Sequence, residues 1–269
     1  YQNKLGHVAK VVMPAYNSKF LYENEFETVY DGWVKVGTTN YQARIIREKT
    51  NKLGFDIFLV HIAGLFDRDG VYGFNDDTER FIAFQIAALD WIAQWEHRPD
   101  VVHVHDHHAG LVPFMMSNCY QYAHLNQVPT VLSIHNAQYQ GQFGWDKVHY
   151  FPAFDLINTN KLDWANAINP LAAAIKCAWR VTTVSASYLD EISHNANGLE
   201  GLLAQERWKS FGVLNGIDSE VWNPQRDKMI AKSYNARTIE SGKKANKEEL
   251  CRVFNLDPSK PLYTFIGRL

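Results

Sequence analysis

Short apolar runs alternate with stretches of helical periodicity along the middle of the chain. Residues 101–104, 130–134 and 181–184 are largely apolar runs of strand length. Helical patterns follow the first run over about 110–122 and precede the third over 169–179, where Asn-Pro supplies a cap and a proline at the first helical position. This alternation predicts an α/β fold with a parallel, doubly wound, Rossmann-like sheet.

Two patterns before residue 100 add to this picture. Residues 29–61 alternate between apolar and polar side chains, which predicts short and partly antiparallel strands. Residues 76–95 predict a long buried helix, because their aromatic and aliphatic side chains recur at helical spacing. Asp76 stands where it could cap that helix, and Glu79 lies three residues on, at the spacing of a capping box.

The composition of the chain changes after residue 224. Residues 225–260 are polar and rich in lysine, with a helix predicted at about 243–254, and residues 261–266 form a new apolar run. We therefore predict an N-terminal domain over 1–224, a connection over 225–260 and the first strand of a second domain over 261–269. Since the sequence begins with Tyr and ends directly after an apolar run, we expect it to be part of a longer chain.

Two of the predicted strands end in polar residues, which follow the runs at 101–104 and 130–134. The carboxyl ends of neighbouring parallel strands meet at one edge of a sheet, where open α/β sheets bind their ligands. Between them, His, Asp, Asn and Gln side chains donate and accept hydrogen bonds, as sugar hydroxyls require. The sequence therefore predicts a site for a hydroxylated ligand that is built from His105, Asp106, His135, Asn136, Tyr139 and Gln140.

Composition and charge narrow the classes of function. The 269 residues are 46% hydrophobic, which is enough for a sizeable core, and the net charge of -2 gives no general attraction for nucleic acid or an anionic membrane. No apolar stretch is long enough to span a bilayer. Three widely spaced cysteines argue against a disulfide framework and favour a reducing compartment, so we expect a cytoplasmic protein.

A histidine cluster at 103–108 raises the alternative of a metal site. Imidazole and carboxylate groups suit zinc or manganese, and the cluster nearly matches the HxHxDH pattern of binuclear metallo-hydrolases. The match fails at His107, where that pattern needs Asp. Alternation along a strand also places His103 and His105 on one face. We therefore expect no metal here, although a metal-dependent hydrolase stays open as an alternative.

Several common catalytic motifs are missing from the sequence. There is no GxGxxG after a strand and no GxxxxGK[ST], so a dinucleotide site and a P-loop are not supported. Ser185 follows a strand but lacks the GxSxG elbow of an esterase. Arg268, at the end of the last apolar run, is either a surface charge or a bidentate clamp for a phosphate group.

Six segments resemble, in the same order, the motifs of bacterial glycogen synthases and plant starch synthases. Segment 99–111 is similar to PDVVHxHDWHxGL, 135–141 to HNxxYQG and 183–188 to TVSPxYxxEI. Segment 198–203 is similar to GxGLEGLL, 213–224 to GILNGIDxxxWNP and 265–269 to xxGRL. Together these matches are specific for the family, although each alone is modest.

The resemblance implies a GT-B glycosyltransferase, in which two Rossmann-like domains face each other across a cleft. Such an enzyme transfers glucose from a nucleotide-glucose donor to the non-reducing end of an α-1,4-glucan, with retention and without a metal or other cofactor. His135 would hold a donor hydroxyl, Asp106 would organise the sugar and acceptor, and Arg268 would stabilise the leaving diphosphate. The other substrate contacts that it implies are His105, Asn136, Tyr139, Gln140, Asn215 and Gly216.

This sequence departs from the family pattern at His107, where the family usually has Trp. Two family parts are expected outside residues 1–269: the Lys-x-Gly-Gly loop would precede residue 1, and the second-domain lysine and glutamate would follow residue 269. We therefore expect the 269 residues alone to transfer no glucose. ADP-glucose is the expected donor, with UDP-glucose as the alternative. A non-catalytic glucan-binding module is the other function that stays open.

Overall fold

The computed structural model describes residues 1–267, and these form two compact units. The first unit is Tyr1–Leu214, and the second begins at Asn215. The predicted fold class is confirmed, because the first unit is an α/β structure built around a parallel sheet. The domain boundaries predicted at 224 and 260 remain predictions.

A mixed four-stranded sheet, in the order β1-β4-β3-β2, is formed by the first part of the chain. Its strands are β1 (Lys10–Pro14), β2 (Phe26–Val36), β3 (Thr39–Glu48) and β4 (Asp56–Ile62), and helix α1 (Lys19–Tyr22) follows β1. The pairs β2–β3 and β3–β4 are antiparallel, whereas β1 pairs with β4 in parallel. The alternation over 29–61 was thus correctly predicted as strands, but these are longer than expected.

A second four-stranded sheet, in the order β10-β9-β6-β5, is parallel throughout. In chain order the remaining strands are β5 (Val102–His105), β6 (Thr130–Ile134), β7 (Asp163–Trp164), β8 (Ala167–Ile168), β9 (Arg180–Thr183) and β10 (Ser210–Gly212). β7 and β8 form a small separate hairpin. The parallel sheet was predicted from the alternation of strand and helix patterns.

Short helices connect and cover these strands. They are α2 (Asp77–Ile92), α3 (Val112–Asn118), α4 (Pro170–Cys177), α5 (Ala186–Ile192) and α6 (Glu200–Gln205). The side chain of Asn169 caps α4 by accepting from the Ala172 N–H at 3.0 Å, as the Asn-Pro pair predicted. The single helix predicted over 110–122 is wrong, because extended backbone at Cys119 (φ -82°, ψ 132°) ends α3 and a 3₁₀ helix follows.

The predicted capping box at the start of α2 does not form. Asp76 makes no capping hydrogen bond, because both its carboxylate oxygens accept from Arg68, each at 2.7 Å. Glu79 is engaged by Lys147 at 3.0 Å and by the Tyr150 hydroxyl at 2.8 Å. The two acidic groups therefore fasten the helix to neighbouring segments instead of satisfying its first N–H groups.

One hydrophobic core runs through both sheets of the first unit. Alternate residues of β4 divide between two clusters: Phe58 and Val60 belong to the main core, and Ile57 and Leu59 to a smaller one on the opposite face. This explains the continuous apolar run of β4, which is buried on both faces. Among the helices within residues 1–267, none combines the length and apolar character needed to cross a membrane.

The second unit contains α7 (Ile239–Phe254), which begins four residues before the helix predicted at about 243. It ends at Asn255, whose left-handed backbone (φ 52°) closes the helix. Residues 261–266, predicted as a strand, have no regular secondary structure, and α7 is the unit's one regular element among the described residues. No strand of this part of the unit is available to pair with them.

Candidate active site

The two polar loops predicted to meet do lie together at the carboxyl edge of the parallel sheet. β5 and β6 are neighbours, with His105 opposite Ser133 in the register. The ladder extends one residue further, because the Asp106 N–H donates to the Ser133 carbonyl at 2.9 Å. The loops that follow the two strands therefore start side by side, and this prediction is confirmed.

Asp106 ties the two loops together. Its Oδ1 atom accepts from the His135 N–H at 2.8 Å and from the Asn136 N–H at 3.4 Å. The backbone of Asp106 has φ 52° and ψ -169°, a region in which glycine is almost alone. Strain of this kind persists only where the surroundings enforce it, so the carboxylate and the turn are held as one feature of the site.

His103 and His105 of β5 and His135, which follows β6, form a row of stacked rings that we call the histidine ladder. The ring of His105 stacks at 4.4 Å on His103 and at 5.2 Å on His135. His105 Nδ1 and His135 Nε2 are 2.9 Å apart, and His103 Nε2 lies 2.8 Å from Ser133 Oγ. Within residues 1–267, no group of three or more His, Cys, Asp or Glu is arranged to hold a metal ion. The hydrolase alternative therefore has no support in the geometry.

Burial lowers the pKa of four imidazoles at this edge of the sheet, those of His103, His105, His107 and His108. His105 retains an exposed edge, yet burial, then His103 and His135, lowers its pKa to about 4. Burial and then His108 lower the pKa of His107 to about 4 as well. Burial also lowers the pKa of His108, although the carboxylates of Asp106 and Asp77 oppose that change. At neutral pH these four imidazoles are therefore uncharged hydrogen-bonding groups near the Asp106 side chain.

A cavity of about 330 Å³ opens next to Asp106. Its polar lining comes from both loops and from the start of α2, while aromatic side chains form much of its wall. The lining includes Tyr72, Asp77, Phe81, Asp106, His107, His108, Asn136, Tyr139, Gln142 and Phe143. Of the predicted site residues, Asp106, Asn136 and Tyr139 line this cavity. His135 and His105 do not, and lie beside it on the histidine ladder.

The loop before α2 contributes to the cavity, and the sequence analysis missed it. Arg80 is fully buried, donates to the Leu65 carbonyl at 2.6 Å and pairs with Asp77. Together with the Arg68–Asp76 pair, it fixes the loop that places Tyr72 with its ring 6.3 Å from that of His108. The glycines on either side of Tyr72 were the available signal, but they fit a turn of any kind.

His107, which stands where the family usually has Trp, belongs to the loop after β5 and packs against the loop after β6. Its ring is 3.7 Å from the ring of His108. A Cβ placed on Gly141, which has φ 69°, would lie 2.2 Å from His107 Cδ2. Glycine is therefore required at 141 both for its backbone conformation and for this close approach. His107 Nδ1 is buried and has no hydrogen-bond partner among the described residues.

Gln140 was predicted to contact substrate, and the structure gives it a different task. Its side chain is buried, and its amide nitrogen donates to the carbonyls of Ala196 and Asn197, both at 3.0 Å. Its oxygen accepts from Asn169 Nδ2 at 2.8 Å. With these groups satisfied internally, Gln140 anchors its loop. Tyr139, by contrast, is 66% exposed and free to meet a ligand.

The structure does not test three of the predicted site residues. Asn215 and Gly216 are exposed and belong to the second unit. Arg268 lies outside the described residues. Their proposed contacts with the donor remain predictions.

A parallel sheet with polar loops at its carboxyl edge is the arrangement of a ligand-binding α/β domain, and similarity to known proteins identifies the family. A family model of the starch synthase catalytic domain matches residues 1–205. The chain belongs to this family, as the sequence motifs predicted.

Two similar proteins are bacterial glycogen synthases. The chain is 52% identical over its whole length to a glycogen synthase of Flavobacterium johnsoniae, covering 57% of that protein. It is 36% identical to a glycogen synthase of a Hydrogenobaculum species, with 98% of the chain and 55% of that protein covered. It thus spans about half the length of these curated relatives.

Among solved structures, the catalytic domain of starch synthase IV from Arabidopsis thaliana, bound to ADP and acarbose, superposes with a TM-score of 0.78. That match has 25% sequence identity and covers 96% of this chain and 54% of the other.

Proposed function

We propose that this chain carries the acceptor-side part of a glucosyltransferase that extends α-1,4-glucans from a nucleotide-glucose donor. The observation that carries the proposal is the Asp106 bridge, which fixes two polar loops beside an aromatic-walled cavity in a chain of the starch synthase family. A solved relative bound to ADP and acarbose supports the pairing of a nucleotide with a glucan-like ligand. ADP-glucose is the proposed donor, and the cytoplasm the proposed location.

The cavity suits a sugar chain in both shape and chemistry. Small-molecule sites are mostly apolar clefts of about 300–1,000 Å³ with a few placed polar groups, and this cavity falls at the small end of that range. The rings of Tyr72, Tyr139 and Phe81 offer faces for the C–H surface of a pyranose. The Asp106 carboxylate accepts from sugar hydroxyls, and the Asn136 amide can donate to them. We assign the acceptor glucan to this cavity.

His135 is proposed to bind the glucose that is transferred. Its Nε2 atom is occupied by His105, so Nδ1 is the ring nitrogen without a hydrogen bond among the described residues. Its backbone N–H is held by Asp106, which fixes the position of the imidazole. An imidazole fixed in this way can hydrogen-bond a glucose hydroxyl without reorganising as charge develops towards the leaving diphosphate. Asn215, Gly216 and Arg268 are proposed to complete the donor side.

The test is transfer of radiolabelled glucose from ADP-glucose or UDP-glucose to glycogen by the intact protein. We expect incorporation, with the ADP sugar preferred. His135→Ala should lower turnover by about a hundredfold, the scale of losing one transition-state hydrogen-bonding group. His124→Ala, which removes an exposed imidazole elsewhere, is the matched control. No incorporation by the unsubstituted protein refutes the function, whereas normal turnover of His135→Ala refutes only the role of that residue.

A further inference from the structure

A second cavity of about 330 Å³ lies on the first unit, away from the candidate active site. We call it the β2 groove. It is lined by Trp33 and Lys35 of β2, Asp90 near the end of α2, and Gln121 and His149. The active-site cavity contacts α2 at Asp77, thirteen positions before Asp90, which at 1.5 Å per residue is about 20 Å along the helix.

The groove presents an open aromatic surface. Trp33 is 68% exposed and lies on β2, the outermost strand of the mixed sheet. The side chain of Trp33 has no hydrogen bond or ring contact among the described residues. Large exposed aromatic rings beside polar groups are more typical of ligand sites than of surface without a binding function.

Polar groups beside Trp33 are fixed in place but keep unused hydrogen-bonding capacity. Asp90 Oδ1 accepts from the Tyr122 hydroxyl at 2.7 Å and from Gln121 Nε2, while Oδ2 has no partner within residues 1–267. Burial raises the pKa of Asp90, so its carboxylate is partly stripped of water. It is therefore a pre-positioned acceptor that gains from a hydroxyl donor.

His149 and Lys35 face the same groove. His149 Nδ1 donates to the Asp146 carbonyl at 2.7 Å, which leaves Nε2 as an acceptor. That atom lies 3.1 Å from where a Cβ on Gly37 would sit, so the lack of a side chain at 37 keeps it accessible. Lys35 makes no ion pair within the described part of the chain, and its ammonium adds three donors.

We propose that the β2 groove is a second carbohydrate-binding site, in which a neutral sugar ring stacks on Trp33 and hydrogen-bonds to Asp90, His149 and Lys35. The carboxylate of Asp90 disfavours binding of an anion, and the ammonium of Lys35 disfavours binding of a cation. The polar groups of Asp90, His149 and Lys35 disfavour a purely apolar ligand. A ligand with one apolar face and both donors and acceptors satisfies all three constraints. Naming that sugar as a segment of α-1,4-glucan rests on the proposed function.

The experiment is native gel electrophoresis of the intact protein through gels that contain increasing soluble glycogen, together with titration by maltoheptaose. Trp33→Ala should weaken the apparent affinity for glycogen by about tenfold, since one stacked aromatic contact is worth roughly that factor. Trp33→Phe, which keeps an aromatic face, should recover most of it. Trp208→Ala is the matched control, because Trp208 is 72% exposed and outside the groove.

Asp90→Asn removes the negative charge but keeps an oxygen that accepts from the Tyr122 hydroxyl. It therefore tests the contribution of the Asp90 carboxylate to sugar binding without leaving a cavity. We expect an intermediate loss of affinity. The proposed site is refuted if glycogen in the gel slows the migration of Trp33→Ala as much as that of Trp208→Ala and of the unsubstituted protein. Thermal unfolding of each variant checks that Trp33→Ala stays folded. If it does not, the affinity of Trp33→Phe for glycogen is the test, and a weakening as large as about tenfold refutes stacking on an aromatic face.

Transfer to a short acceptor separates this site from the proposed function. Glucosylation of a short acceptor such as maltotriose requires the active-site cavity and not the β2 groove, so Trp33→Ala should leave it unchanged. If the protein transfers no glucose but its migration is slowed by glycogen in a way that depends on Trp33, the site is supported and the proposed function is refuted. If the protein transfers glucose normally but Trp33→Ala does not change the slowing of migration by glycogen, the function is supported and the site is refuted.

Discussion

Asp106 is the residue whose replacement tests the site geometry most directly, because its side chain and its backbone make separable contributions. The side chain accepts two backbone N–H groups, at 2.8 Å and 3.4 Å, and the backbone is held at φ 52° and ψ -169°. Asp106→Asn keeps an oxygen acceptor. Asp106→Ala removes the acceptor and keeps the backbone strain, while Asp106→Gly removes both.

The magnitudes of these effects can be worked out from the structure. A hydrogen bond to a charged acceptor contributes about 1.5–3 kcal/mol, and the 3.4 Å contact adds little, so Asp106→Ala should lower the free energy of unfolding by about 2 kcal/mol. Relief of the strained backbone is worth about 1–3 kcal/mol to glycine, offset by about 0.4–1 kcal/mol of unfolded-chain entropy. Asp106→Gly should therefore be more stable than Asp106→Ala by about 1 kcal/mol.

Urea unfolding followed by near-ultraviolet circular dichroism measures this series. The expected order of stability is Asp, then Asn, then Gly, then Ala. Asp190, exposed within α5, supplies the control pair, since glycine should there be less stable than alanine by about 1 kcal/mol. If Asp106→Ala is as stable as Asp106→Gly, the backbone at 106 is not strained and the reasoning is refuted.

Two further predictions concern packing and pH. Gly212→Ala should lower the free energy of unfolding by about 1–3 kcal/mol, because the added Cβ would lie 2.3 Å from the Ala186 Cα. Gly201→Ala should raise it by about 0.5–1 kcal/mol, because Gly201 lies in α6 with open space around it. Thermal unfolding of the two variants measures both effects. Since folding lowers the pKa of His105 and His107 from 6.5 to about 4, the unfolded chain binds more protons in that window. The free energy of unfolding should thus fall as pH drops from about 6.5 to about 4, and His107→Phe should flatten the urea-measured slope.

The parallel sheet and the meeting of the two polar loops were predictable because they rest on local patterns. An apolar run such as β6 has the same bounds in the sequence pattern and in the structure. Asn169 and Ser185 cap their helices as their residue types indicate, because a cap is a contact within three residues. The His105–His135 contact follows from the parallel pairing of consecutive strands.

What the sequence did not reveal depends on contacts distant in the chain. Asp76 failed as a cap because Arg68 competes for its carboxylate, and Gln140 turned inward because carbonyls near residue 196 reach it. Neither competitor has a periodic signature. Tyr72 was missed for the same reason, since its place in the cavity is set by Arg80, a buried charge that no hydropathy pattern marks.

The contacts that hold the candidate site have a consequence for how the chain acquires its structure. They join residues 29 positions apart at Asp106–His135, 49 at Ser133–Thr182 and 51 at Ala137–Tyr188. The antiparallel strands β2, β3 and β4, by contrast, pair with their immediate successors in the chain. Closing long loops slows folding, so we expect the hairpins to form early and the parallel sheet late. In a newly made chain, β2, β3 and β4 should therefore be paired well before the candidate site is complete.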